Sequence, residues 1–326
     1  MTKTQKKVTW IFLQIVVTLF FLYLTFHNTN FKTLRASLYA INYWLLSFTL
    51  MPLLATFFLL AAREKYLLLH MHKFHEYDLL RGVTLGFVGN NVLPFRGGEF
   101  LKVLYWSRVS SRSYVSLLSV ALIERLLDLG CLIFLFFIGT KSVLIKLGID
   151  IQWVIALFVL VLLPLMILIF LDWKYKKEFA LHQSIHYFLG DRISHWINHA
   201  ISQVMQGIRV LGNLKNIVSA LFFTIIYWAM NLICIAVMLK AFHIVVPWQA
   251  VIVLALATSF GTAIPAAPGY IGTFDYFSKM ALVLFGVPAS LAASFAIVSH
   301  IVLMVPLTLV GIIFVYPILG RLGKAK

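Results

Sequence analysis

Val8–Phe26 and Ile151–Leu171 each run from end to end without one charged side chain. Both are close to the roughly 20 residues an α-helix needs to cross the hydrocarbon core of a bilayer. In lipid the backbone must satisfy its own N–H and C=O groups, and runs of this length do so as helices. The rest of the chain agrees. Of 326 residues, 62% are apolar and only 12% charged, where a soluble domain carries about a quarter charged residues. The longest polar stretch, Asp172–Lys215, is too short to hide a sizeable soluble domain.

The net charge of +16 invites a nucleic-acid reading, but its placement excludes one. Lys and Arg sit in short loops beside apolar runs, as topology signals do, and no segment is able to build a folded basic face. Lys3, Lys6 and Lys7 followed by Val8–Phe26 have the look of a signal sequence. The apolar run is too long for one, however, and Thr25-Phe26-His27-Asn28 offers no cleavage site. A retained first membrane helix is expected. Cys131 and Cys234 lie inside apolar runs without CxxC or metal-ligand neighbours, and read as small hydrophobes.

Full crossings are expected at about 8–26, 41–62, 114–139, 151–171, 216–240 and 289–316. Two more apolar segments, about 79–106 and 248–285, are interrupted at their centres. The first holds Gly89-Asn90-Asn91-Val92-Leu93-Pro94-Phe95-Arg96-Gly97-Gly98-Glu99, the second Ser259-Phe260-Gly261-Thr262-Ala263-Ile264-Pro265-Ala266-Ala267-Pro268-Gly269-Tyr270. Proline removes a backbone donor and glycine weakens a helix, so both segments should break there. Broken backbone persists at membrane depth only where protein or a water-filled cavity satisfies it. A shift of 171 residues lays Pro94 on Pro265, Gly98 on Gly269 and 114–139 on 285–310. This weak repeat, about 41–139 and 212–317, interrupted at corresponding positions, points to a transporter's binding site.

If both interrupted segments are re-entrant hairpins, 18 of the 27 Lys and Arg residues fall on one face and five on the other. Full crossing by one segment alone would scramble that bias. The positive-inside rule therefore favours an all-α polytopic protein of the cytoplasmic membrane. It has six full crossings, both termini cytoplasmic and two hairpins entering from opposite faces as an inverted repeat. Within 172–215, Leu181, Ile185, Phe188, Ile193, Trp196, Ile201, Val204, Ile208 and Leu211 recur at helical spacing among polar residues. This predicts an amphipathic helix along the cytoplasmic interface, or a linker helix packed under the bundle. Trp10, Trp44, Trp153 and Trp248 read as interface belts.

Charge inside the membrane is expensive and is read as functional. Arg96, Glu99, Lys102, Glu124, Arg125, Asp128, Asp275 and Lys279 form a neutral set, which suits mutual pairing. Glu124 and Asp128 share a helical face, Arg125 precedes Asp128 by three, and Asp275 and Lys279 are spaced as an i, i+4 pair. Gly97 and Gly98 allow close backbone approach to a head group or another helix. Arg96 and Arg125 suit a phosphate head group, since guanidinium stays charged in lipid and binds phosphate bidentately. The structural alternative is an ion-pair network locking the hairpins to 114–139. His182/His186, His195/His199 and the His70, His72, His75 group lack acidic or cysteine ligands and read as solvated interfacial residues. His300, inside the last span, reads as helix packing. No metal site, nucleotide loop or catalytic motif is evident, and no cofactor is expected.

Three motifs in order carry a resemblance. Asn91-Val92-Leu93-Pro94-Phe95-Arg96-Gly97-Gly98-Glu99, then Glu124-Arg125-Leu126-Leu127-Asp128, then Pro265-Ala266-Ala267-Pro268-Gly269-Tyr270-Ile271-Gly272 resemble the flippase-like family of the lysylphosphatidylglycerol synthase transmembrane region, over about 8–320. The resemblance implies handling of lipids or lipid-linked intermediates. It assigns Arg96, Glu99, Glu124, Arg125 and Asp128 to the family's charged set, with Gly97 and Gly98 beside them as substrate-binding residues of the first hairpin, and Pro265, Pro268, Gly269, Gly272 and Asp275 to the second. Tyr270 stands where a glycine is commoner and Asp275 where glutamate is usual. The aminoacyl-transfer domain of the synthase has no counterpart here, so lysyl transfer is not expected. The expectation is a non-enzymatic lipid translocator whose partner is a membrane lipid. Its alternatives are an intramembrane enzyme on polyprenyl-linked sugars and an assembly subunit partnering envelope-biosynthesis proteins.

Overall fold

The structure, a computed structural model, describes residues 3–93, 96–139 and 202–323, with isolated positions between 150 and 199. The described secondary structure is helical throughout. Before the undescribed stretch come α1 (Lys3–Phe26), α2 (Phe31–Tyr39), α3 (Tyr43–Ser47), α4 (Leu50–Leu68), α5 (Glu76–Val92), α6 (Gly97–Ser110) and α7 (Tyr114–Gly139). After it come α8 (Leu214–Ala241), α9 (Trp248–Ala263), α10 (Thr273–Val283) and α11 (Ala289–Gly323). Local chemistry sets the boundaries. Asn30, Asn42 and Asn213 cap α2, α3 and α8 by accepting from the first free backbone N–H groups. Leu93 is extended (ψ 147°), as a residue preceding proline must be, and α5 stops there.

Among the described residues, four segments are long and apolar enough to cross a membrane: Val8–Phe26, Tyr43–Leu68, Leu214–Ala241 and Ala289–Pro317. Their flanks carry largely exposed apolar side chains, such as Phe12, Leu19, Met51, Phe222 and Ile313, an exposure that suits lipid rather than water. Of the six expected crossings, 114–139 forms a helix of 26 residues, but Glu124, Arg125 and Asp128 interrupt its apolar character. The crossing at 151–171 lies outside the described residues except for isolated positions. The expected end of the second crossing at residue 62 needs correction, because α4 runs on to Leu68. Ala61-Ala62-Arg63-Glu64-Lys65-Tyr66 contains no helix breaker, and Arg63 and Glu64, each 1% exposed, are core residues rather than loop charges. Most of the 172–215 segment is undescribed. The described end, 202–212, is helical and lies against the bundle through Ser113–Gln203 and His70–Gln206 hydrogen bonds, with Ile208 and Val210 buried.

The bundle is organised about α4 and α8, which run antiparallel. Asn42 N donates to the Ala241 carbonyl near one end, Thr49 meets Cys234, and Tyr66 stacks on Phe223 towards the other. Both interrupted segments fold back as helical hairpins. In the α5–α6 hairpin, Trp106 Nε1 donates to the Asp78 carbonyl (3.1 Å) and Tyr105 OH to the Asp78 carboxylate (2.8 Å), closing its open end. A Cβ on Gly98 would collide with the Gly86 carbonyl and the Asn90 backbone, so only glycine lets α6 lie this close to α5. In the α9–α10 hairpin, Gly261 meets the Thr273 backbone and Phe260 packs edge-on against Phe277.

The hairpins open at different ends of the bundle. The open end of α5–α6 lies where α4 finishes and α7 starts. That of α9–α10 lies where α7 and α1 finish, with Trp248 against Gly139 and Lys279 Nζ donating to the Thr25 carbonyl. Each hairpin's first helix packs on the helix that follows the other hairpin: α5 on α11, through Asn91–Thr308 (2.7 Å), and α9 on α7.

Candidate functional site

Seven ionisable side chains from α4, α6 and α7 meet in one cluster. The i, i+4 spacing on α7 presents Glu124 and Asp128 together, and Arg63 of α4 bridges them. Its Nη2 donates to Glu124 Oε1 and its Nη1 to Asp128 Oδ1 (2.7 Å). Lys102 of α6 donates to Glu124 Oε2 (2.6 Å) and lies 3.0 Å from Glu99. Arg125 lies 2.7 Å from Glu99, 3.1 Å from Glu124 and 3.5 Å from Asp128. Asn90 of α5 donates to Glu99 at 3.2 Å. The cluster thereby fastens the first hairpin to α4 and α7. Removal of one partner from so buried a network leaves a charge with no solvent to compensate it, at a cost of about 3–5 kcal/mol.

Arg63 and Glu64 were not among the residues expected here. An expected second crossing that ends at residue 62 leaves both in the loop beyond it. The signal for them was helical continuity, since nothing in 61–66 ends the helix and an adjacent acid–base pair at the edge of an apolar run suits burial.

Arg96 stands apart from this network. It is the residue before α6, in a left-handed conformation (φ 52°), and makes no ion pair among the described residues. Its Nη2 reaches Thr262 Oγ1 of α9 at 3.5 Å, and its guanidinium lies 5.9 Å from the Tyr270 ring centroid. The tips of the two hairpins thus face each other across a cavity of about 140 Å³, lined by Asn90, Leu93 and Arg96 from one and by Thr262, Pro265 and Tyr270 among others from the second. Pro94 lies outside the described residues.

The second tip is built differently. Pro268–Tyr270 makes a single 3-10 turn, with Gly269 at φ 76°, Tyr270 at φ 59° and Gly272 at φ 86°. The left-handed Tyr270 accounts for a glycine being commoner at that position. Asp275 and Lys279 do not form the expected i, i+4 pair. Asp275 Oδ2 accepts from Gly272 N (2.9 Å), capping α10, and Oδ1 lies 2.9 Å from His300 Nδ1. His300 Nε2 lies 2.7 Å from the Gly269 carbonyl, so this histidine ties the turn to α11. Lys279, 5% exposed, donates to the Thr25 carbonyl at 2.6 Å and approaches Thr29. The i, i+4 spacing only makes a pair available; the cap and the helix-end carbonyl of α1 compete successfully for its members. From α1, Thr18 Oγ1 accepts from Ala267 N (3.0 Å), and the Gly272 backbone lies against the Thr18 and Leu22 backbone.

Of the residues expected at the site, Glu99, Glu124, Arg125 and Asp128 form the cluster. Arg96, Pro265, Pro268 and Gly269 belong to the two tips, Gly97 and Gly98 form the tight hairpin contact, and Asp275 and Gly272 form the cap of α10. His182, His186 and His195 lie outside the described residues. His199 hydrogen-bonds Gln203 at 2.7 Å.

The family described as the lysylphosphatidylglycerol synthase transmembrane region matches residues 11–311 of the chain. Its relatives include a protein named UPF0104 membrane protein from Methanothermobacter thermautotrophicus, 25% identical over 243 residues, which are 71% of this chain and 71% of the relative. No solved structure matches the chain. With four long apolar segments among the described residues, these matches make it a multi-pass membrane protein of a lipid-related family.

Proposed function

The chain belongs to the family of the lysylphosphatidylglycerol synthase transmembrane region, and from that premise we propose that it is a non-enzymatic lipid translocator of the cytoplasmic membrane. It moves an anionic phospholipid, or a polyprenyl- or glycan-linked lipid, between leaflets. Arg96 and the cavity between the hairpin tips receive the head group. The observation that carries the reading is Arg96 itself. This guanidinium has no carboxylate partner among the described residues and points across the gap at the Thr262 and Tyr270 hydroxyl-bearing side chains. A phosphate there gains a bidentate, charge-assisted contact, and acyl chains are free to remain in lipid.

Six crossings, with both termini cytoplasmic and the two hairpins dipping from opposite faces, form the frame. The recurrence of elements at an offset of 171 supports an inverted repeat. Tyr43, Glu76 and Tyr114 plus 171 give 214, 247 and 285, beside the starts of α8 (214), α9 (248) and α11 (289). The exchanged contacts of α5 with α11 and α9 with α7 fit a two-fold relation. Rocking of one repeat against the other would open the cavity to each leaflet in turn.

Purified protein in liposomes tests the reading with a head-group-labelled phosphatidylglycerol. The expected outcome is transfer between leaflets without chemical change, lost on Arg96→Ala and partly kept by Arg96→Lys. A chemically modified lipid would support an intramembrane enzyme instead. Intact function of Arg96→Ala in cells, with an envelope-biosynthesis partner still bound, would support an assembly subunit.

A further inference from the structure

The cluster contains three cations, Arg63, Lys102 and Arg125, and four carboxylates, Glu64, Glu99, Glu124 and Asp128. Hydrogen bonds account for three of the acids. Glu124 accepts from Arg63, Lys102 and Arg125, Asp128 from Arg63, and Glu99 from Arg125 and Asn90. Glu64 is left over. It is 1% exposed, and its closest cations are Lys102 at 3.8 Å and Arg63 at 3.7 Å, beyond hydrogen-bond range. Neither of its oxygens receives a hydrogen from a donor group, and its carboxyl faces that of Glu124.

Among the described residues the surrounding elements supply nothing to change this count. The α8 face contributes the phenol of Tyr227, and α5 contributes Asn90, already used by Glu99. At the open end of the hairpin, Asp78 of α5 is engaged by Tyr105. His300 of α11 is held by Asp275 and Gly269, and Arg96 faces the other tip. An ionised carboxylate buried without a donor is among the costliest arrangements a protein can hold. One proton removes that cost. The neutral Glu64 carboxyl then donates its O–H to the Glu124 carboxylate, and three cations balance three anions.

We propose that Glu64 is a proton-binding site, sharing its proton with Glu124, and that this proton is the coupling ion of lipid translocation. The first half stands on the cluster alone; the second rests on the translocator reading. An anionic head group that draws Arg125 away from Glu99 and Asp128 makes the cluster more negative, which strengthens its hold on the proton. By linkage, a bound proton strengthens the hold on the anion by the same factor.

Infrared difference spectroscopy of the full-length protein in lipid nanodiscs, with glutamate carboxyls labelled with carbon-13, reads the site directly. A protonated glutamic acid band is expected at pH 7 in the wild type and lost in Glu64→Gln. If Glu64→Gln fails to fold, Glu64→Asp should move the band from labelled glutamate to labelled aspartate. Absence of any protonated glutamate in the wild type, a band surviving both substitutions, or its loss on adding sodium would overturn the proposal. Phosphatidylglycerol binding should be roughly 5-fold or more tighter at pH 6 than at pH 8, and the difference should vanish in Glu64→Gln. Equal binding at both pH values in the wild type would overturn the coupling. A persistent band in a protein that moves no lipid would sink the translocator reading and leave the proton site standing.

Discussion

The first hairpin and the second share a plan, two short helices joined by a proline-containing break, yet they are secured by different chemistry. Glu99 and Lys102 on α6 tie the first into a seven-residue charge network with α4 and α7. The second has no such network among the described residues. Its tip is held by the Asp275–His300–Gly269 contacts, by one hydroxyl of α1, and by a turn in which three of four residues, Gly269, Tyr270 and Gly272, have positive φ. Ion networks buried in a bundle resist rearrangement because every member must find new partners at once. A few hydrogen bonds and a strained turn can exchange one by one. On the translocator reading, the first hairpin should therefore serve as the fixed wall of the cavity and the second as the element that moves, with Arg96 on the fixed side pointing at it.

That comparison breaks most readily at Arg63. Arg63→Ala should lower stability by about 3–5 kcal/mol and be seen as a large drop in the melting temperature of the purified protein; a melt close to wild type would show that the network does not secure the first hairpin. On the second hairpin, His300→Phe should cost less, about 1–3 kcal/mol for the unsatisfied Asp275 and Gly269 acceptors. Proteolysis or hydrogen exchange should report the loss locally at 265–272. Arg96→Ala separates function from stability: the melt should stay within error of wild type while lipid transfer falls at least tenfold. Tyr270→Gly sharpens the role of the turn. Relief of the left-handed side chain roughly offsets the entropy of glycine, for a net change under about 1 kcal/mol, whereas head-group affinity should fall with loss of the ring beside Arg96. The smallest effect is expected outside both hairpin tips. The exposed Lys65–Glu76 bridge should be removable by Lys65→Ala with no measurable shift in the melt.

The sequence exposed some of this architecture more readily than the rest. Hydropathy marked the long helices, because lipid is a uniform solvent and its demand is written in every residue of a span. The breaks at Leu93–Pro94 and Pro265–Gly269 were legible because proline and glycine act on the backbone locally. Glu124, Arg125 and Asp128 were legible as a set because helical spacing fixes their common face. Arg63 and Glu64 were missed because a hydropathy window ends a span at its first charges, whereas the helix ends where its backbone does. The Asp275–Lys279 pairing failed for a related reason. Its true partners, His300 and the Thr25 carbonyl, are 25 and 254 residues away, and only the fold brings them close.

Leaflet-specific labelling of single cysteines tests the opposed hairpins most directly. With Cys131 and Cys234 replaced by alanine, Val109→Cys at the open end of the first hairpin and Val245→Cys, ahead of the second, are treated in intact cells with a membrane-impermeant maleimide. Val245→Cys should react from outside, and Val109→Cys only after the cells are opened. Reaction of both from the same side would contradict two hairpins entering from opposite faces, and the translocation pathway between their tips would fall with it.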